Sequence, residues 1–247
     1  MAALAGGSVQ RIRAERNFYI AMAGAMLVTI FIGFAPTYFL RGAIDLGHPL
    51  TPLTPLVHVH GILFSSWVVL FIVQVALVRV GRASIHRKLG VAGLVLALAL
   101  IATGTAVALY GLHRPTAPPG ISALSWLAVP LLSVPAFGIL ILVGFARRNI
   151  AQTHKRLMLI AVINMLPPAT GRMPWPDFMT GPLSIFVVPD LLFFVPLILW
   201  DMKTRGRVHP ATLWGGLLTV ALQITTFAVW QTGPWLRFAA WAASLTA

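Results

Sequence analysis

Cysteine is absent from the sequence, which excludes disulfides, thiolate metal sites and cysteine nucleophiles and leaves the redox compartment open. Acids are nearly as scarce: five Asp and Glu residues stand against eighteen Lys and Arg. The single glutamate, Glu15, sits in the polar N-terminal stretch and cannot serve as a buried base. Charged residues make up 9% of the chain, against about a quarter in soluble domains. The chain also lacks a phosphate-binding glycine loop and a His-Glu-x-x-His zinc motif. No lysine lies between Leu213 and Trp230, so a retinal Schiff base in that segment is excluded. Histidines are too few and too widely spaced for the His-x-x-His clusters of di-iron desaturases. No convincing internal repeat supports a repeat-built transporter.

What the chain does have is apolar length. Hydrophobic residues reach 58%, and a hydrocarbon core about 30 Å thick needs roughly 20 helical residues per crossing. The expected fold is all-α: an integral membrane bundle of seven transmembrane helices, at about 18–40, 55–80, 88–111, 122–146, 154–170, 182–200 and 210–232. Residues 1–17 are expected to form a mobile cytoplasmic tail, 18–232 the membrane domain and 233–247 a short outer segment. The first apolar run has spanning length with no small-residue cleavage site behind it, so it reads as an uncleaved helix.

The formal charge of +13 is distributed as topology signals, without the basic face or tail that nucleic acid would need. Fourteen of the eighteen cations fall into four clusters: Arg11, Arg13 and Arg16; Arg79, Arg82, Arg87 and Lys88; Arg147, Arg148, Lys155 and Arg156; and Lys203, Arg205 and Arg207. With the N-terminus in the cytoplasm and the C-terminus outside, every cluster is internal, and only Arg41, Arg114, Arg172 and Arg237 face out. The clusters also suit anionic lipid headgroups. The outer loops, Gly47 to Pro55, Pro115 to Gly120 and Gly171 to Pro182, are proline-rich and stiff. Pro55 and Pro210 suit the first turns of their helices. Pro167-Pro168 interrupts the fifth helix, where a broken or re-entrant end is expected; such backbone needs protein or water around it. Trp175, Trp230, Trp235 and Trp241 read as an interfacial belt.

The topology divides seven histidines by side. His48, His58, His60 and His113 lie toward the outside. His86, His154 and His209 each open a cytoplasmic helix end, where one three-imidazole ring is possible if the third, fifth and seventh helices are neighbours. Neutral imidazoles at similar depth bind a transition metal, or two of them ligate a haem; the plainer alternative is that interfacial His accompanies Lys and Arg. In Val57-His58-Val59-His60-Gly61 only one ring can face the bundle, and His60, the deeper, is the preferred ligand. Asp190, in the middle of the sixth helix, is the most expensive residue to bury and marks a functional site or an interhelical hydrogen bond. Partners at its depth are His60, Asn164 and Gln223. Asp201, among Lys203, Arg205 and Arg207, reads as a surface charge pair, with a role behind His209 as the minority option.

The His-Gly opening at His60-Gly61, His86-Arg87-Lys88-Leu89-Gly90, His154-Lys155-Arg156-Leu157-Met158-Leu159 and Arg207-Val208-His209-Pro210 together resemble a family of uncharacterised bacterial multi-pass membrane proteins. More loosely, from Val57 to Pro168, the chain is similar to the small four-helix assembly proteins of haem-A oxidases. That likeness selects His60, His86 and His154; the segment around His209 and the arrangement of the fifth to seventh helices depart from it.

Two functions remain. One is a bacterial inner-membrane protein that binds haem b or a transition metal and serves electron transfer or cofactor assembly. Its candidate ligands are His60 and His113 outside and His86, His154 and His209 inside, and its partner is a respiratory oxidase or another redox membrane complex. The other is a proton-coupled solute carrier built on Asp190, or a structural subunit, needing no cofactor. Nucleic acid is not an expected partner of either.

Overall fold

The computed structural model describes residues 2–45, 50–115, 117 and 121–246; His48 and parts of the first two outer loops lie outside them. Among the described residues every regular element is helical, apart from one isolated bridge between Arg41 and Ile44. The chain runs through α1 (Ala2–Phe34), a π turn (Ala35–Phe39), α2 (Pro55–Arg79), α3 (Ala83–Tyr110), α4 (Ala123–Trp126), α5 (Ala128–Ala146), α6 (Ala151–Ile163) and α7 (Pro167–Thr170). Two 3-10 turns (Gly111–His113 and Asp177–Met179), two π turns (Leu183–Val187 and Asp190–Phe194), α8 (Val195–Arg205), α9 (Pro210–Val229) and α10 (Gly233–Leu245) complete it.

Among the described residues, six helical stretches are long and apolar enough to cross a bilayer: Gln10–Phe39, Pro55–Arg79, Ala83–His113, Ala123–Ala146, Leu183–Arg205 and Pro210–Val229. They mark the chain as a multi-pass membrane protein. Large apolar side chains lie exposed along their outer faces, as a lipid solvent allows. Val91, Val95 and Leu98 form such a stripe at i, i+4 and i+7 of α3. Pro55 and Pro210 each occupy a first turn, where no amide hydrogen is needed.

The stretch expected as the fifth crossing has a different construction. α6 ends at Ile163, the chain turns through Asn164–Leu166, and Pro167 begins the one-turn α7. Both pieces are interior. Leu157 and Leu159 to Ile163 are buried around the whole circumference of α6, and Leu166 and Ala169 are wholly buried beyond the break. A broken helix is therefore covered by protein on every side, the condition under which irregular backbone survives at membrane depth. Small residues let the neighbours close in: Gly144 of α5 lies against Met158 and Leu157, and Gly215 of α9 against Ile160.

Both ends of the chain carry helical structure. The N-terminal segment is helical and continuous with the first span. Its Glu15 carboxylate pairs with Lys155, and Arg11 donates to the Thr204 carbonyl. The C-terminal segment forms α10, capped by the Thr232 side chain, with Ala239 and Ala242 packed against Leu127.

Candidate functional site

The basic clusters meet at one end of the bundle. Arg79 donates to Asn17 (3.2 Å), Arg16 donates to the Arg79 carbonyl (3.3 Å), Lys155 pairs with Glu15, and Arg156 reaches Asp201. Within this end, first-turn residues of α3 and α6 bring two imidazoles together. The His86 and His154 ring centroids lie 6.1 Å apart at an interplanar angle of 81°. His154 Nδ1 sits 2.8 Å from the Gly144 carbonyl oxygen. A carbonyl only accepts, so Nδ1 carries the proton and Nε2 keeps its lone pair. Among the described residues His86 Nδ1 is buried with no hydrogen-bond partner, and so is Oε1 of Gln74.

His209 does not complete a ring. Its Nδ1 accepts the Ala211 amide hydrogen at 3.0 Å, so the imidazole caps its own helix. Its backbone N–H donates to Asp201 Oδ2 at 3.0 Å. Burial first, then the Arg156 and Arg205 guanidinium groups, hold this imidazole below its ordinary range, toward the neutral form that capping requires. Among the described residues no three His, Asp or Glu side chains are grouped closely enough to share a metal ion.

Asp201 is not the surface pair that its basic neighbours suggest. It is wholly buried, as is its partner Arg156. Arg156 Nε donates to Asp201 Oδ1 at 3.0 Å, Nη2 contacts the same oxygen, and Nη1 donates to the Gln152 carbonyl (2.9 Å) and side-chain oxygen (2.6 Å). Thr212 donates to Oδ2 at 2.6 Å. One carboxylate thus ties α6, α8 and the start of α9, with both charges neutralised and their lone pairs and protons occupied. Sequence reasoning placed Arg156 in a surface cluster. Spacing does not single it out, because α6 is buried around its whole circumference and Lys155 stands in the same register to buried Leu159.

The expected outer constellation divides into separate pairs. His60 lies 3.2 Å from the Thr103 hydroxyl and beside Gly104, half-buried, while His58 is exposed. The space beside Gly61 is filled by the Tyr38 ring. His113 is exposed and meets Thr246 Oγ1 at 2.9 Å. Asp190 receives a hydrogen bond from Gln223 (3.4 Å), whereas buried Asn164 donates to the Ser133 carbonyl (2.9 Å). The polar network of Asp190, Asn164 and Gln223 is therefore a pair and a separate interhelical bond. His60 is bonded toward α3, away from Asp190's partner. Two of the belt tryptophans have structural partners: Trp175 donates to the Thr170 carbonyl and Trp235 to that of Leu124.

Searches for relatives return no matching family model, no matching curated protein and no matching solved structure.

Proposed function

We propose that this chain is a seven-pass bacterial inner-membrane protein, N-terminus in the cytoplasm and C-terminus outside, that holds haem b between His86 and His154 in the service of electron transfer or oxidase assembly. The orientation is supported by the gathering of four basic clusters at one end. The crossing that brings the six to seven is the fifth in chain order, α6 with α7: Lys155 meets Glu15 at the basic end, and Arg172, just past α7, lies over the Phe34 ring at the other end of α1.

The observation that carries the reading is the 6.1 Å approach of two imidazoles from separate helices. His86 and His154 would hold the metal of such a group, His154 through the Nε2 lone pair that its bonded Nδ1 leaves free. Two histidines would suffice to hold a haem, whereas a bare transition ion would need further protein ligands. The anchored Nδ1 of His154 fixes the ring and its tautomer, as ligating histidines require. The bound group would supply one-electron transfer; the protein contributes ligation, orientation and burial. A second reading, a proton-coupled carrier, rests on the Asp190–Gln223 pair inside a membrane helix.

The test is the absorption spectrum of the detergent-purified protein, oxidised and dithionite-reduced, with iron, copper and zinc analysis. A Soret band with sharpened reduced α and β bands, lost in His86→Ala and His154→Ala, is the expected outcome. A colourless, metal-free protein would overturn the haem reading and favour the carrier.

A further inference from the structure

A cavity of about 360 Å³ opens at the basic end of the bundle, bounded by α1, α6 and α8. Arg11, Glu15, Gln152, Trp200, Thr204 and Arg205 form its walls, and the Arg156 guanidinium lies beside them. None of these residues belongs to the histidine pair.

The charges of this cavity do not balance. Asp201 neutralises Arg156, and Lys155 neutralises Glu15. Among the described residues neither Arg11 nor Arg205 has an ion-pair partner, so both stand as surplus cations on the wall, Arg11 steadied by its bond to the Thr204 carbonyl. Trp200 lines the same cavity, and its Nε1 is buried with no hydrogen-bond partner among the described residues. Indole N–H can only donate, and its direction is set, because the ring stacks on Phe18 at 4.5 Å with an interplanar angle of 8°. A buried donor left unpaired is costly, which calls for an acceptor supplied from outside the protein.

Two guanidinium groups and one N–H donor around a small cavity make a site for an acceptor-only anion. Phosphate oxygens fit this chemistry, since Arg recognises them by charge and by paired N–H groups. We propose that this cavity binds a phosphate group, with Trp200 Nε1 and Arg205 as its recognition elements. The cavity lies at the level of the basic clusters, where headgroups of anionic lipid gather on the seven-pass reading. The same chemistry would accept free phosphate from solution, and the experiment separates the two sources.

Full-length protein in detergent would be titrated with phosphatidylglycerol and with phosphatidylcholine, adducts being counted by native mass spectrometry. Inorganic phosphate would be titrated separately, the melting temperature being read at ionic strength held constant with chloride. The expected result is one saturable phosphatidylglycerol adduct preferred over phosphatidylcholine. Trp200→Phe, which keeps the stack on Phe18, and Arg205→Gln, at an exposed position, should each weaken it about tenfold, the loss of one charge-assisted hydrogen bond. Stabilisation by phosphate that both variants abolish would also support the site and assign its ligand to solution. The proposal is overturned if neither ligand binds saturably, or if both variants bind as the parent does. Should Trp200→Phe fail to fold, Arg205→Gln alone decides.

Discussion

Arg156 and Asp201, 45 residues apart in sequence, meet with side-chain exposures of 1% and 0%, two guanidinium nitrogens donating to one carboxylate oxygen in a contact that also draws in Gln152, Thr212 and the His209 amide. Such a pair has a characteristic energetic signature. Removing one partner leaves an uncompensated buried charge, which costs about 3–5 kcal/mol, while replacing both with apolar residues of similar volume is often neutral. Arg156→Met and Asp201→Leu should therefore each lower the melting temperature of the detergent-solubilised protein sharply, and the double variant should recover most of the loss. A double variant as unstable as either single would mean that the pair does more than neutralise itself.

The cap at His209 predicts a dependence on pH. The folded protein keeps this imidazole neutral below the pH at which the unfolded chain, with an ordinary value near about 6.5, takes up a proton. In that window the unfolded state binds more protons, so stability rises with pH. The contribution is present in full above about pH 6.5 and is lost as the pH falls toward the lowered folded value, where Nδ1 ceases to accept the Ala211 amide hydrogen. His209→Asn keeps a capping acceptor that does not titrate, and should flatten the melting-temperature profile between neutral and mildly acidic pH. His209→Ala should cost about 1 kcal/mol at neutral pH, the usual worth of a cap. An unchanged acid slope in His209→Asn would assign the titration elsewhere.

Close approach at Gly33 separates it from an otherwise similar glycine on the same helix. A Cβ there would stand 2.2 Å from the Ala169 carbonyl oxygen, so α1 and α7 would have to part, whereas a Cβ at Gly24 meets nothing. Gly33→Ala should destabilise by about 1–3 kcal/mol through overpacking. Gly24→Ala should be neutral or stabilising by up to about 1 kcal/mol, by helix propensity alone. Equal melting temperatures for the two variants would show that the α1–α7 contact yields without cost.

These contrasts explain which parts of the molecule are legible in sequence. Spans are legible because bilayer thickness imposes a run length and Arg and Lys mark where each run ends. The interruption at Pro167-Pro168 is legible because proline cannot continue an α-helix; that the break lies inside the protein is a property of α1, α5, α9 and the two π turns packed around it. α10 left a local signature, with Thr232 as cap and Trp235, Ala239 and Ala242 at i, i+4 and i+7, but followed an already complete set of crossings. The pairing of Arg156 with Asp201 left no local trace, because each stands beside other charges that account for it equally well. His86 and His154 are intermediate: shared depth follows from their place at helix starts, whereas the choice of these two over His209 depends on a backbone amide that His209 caps.

The spacing of Asp190 from the basic end gives the experiment that separates the two functional readings. Asp190 stands eleven positions before Asp201, about 16 Å of helical rise, and its hydrogen bond runs to Gln223 of α9, whereas the two imidazoles join α3 to α6. Asp190→Asn keeps the shape of the side chain and an oxygen for the Gln223 amide to donate to. It should leave the spectrum and metal content of the purified protein unchanged, where His154→Ala removes both. In proteoliposomes carrying a proton gradient the expectation is reversed for a carrier: Asp190→Asn would abolish coupled flux and His154→Ala would not. A variant at Asp190 that bleached the cofactor would place that carboxylate within the ligation sphere and require the two sites to be one.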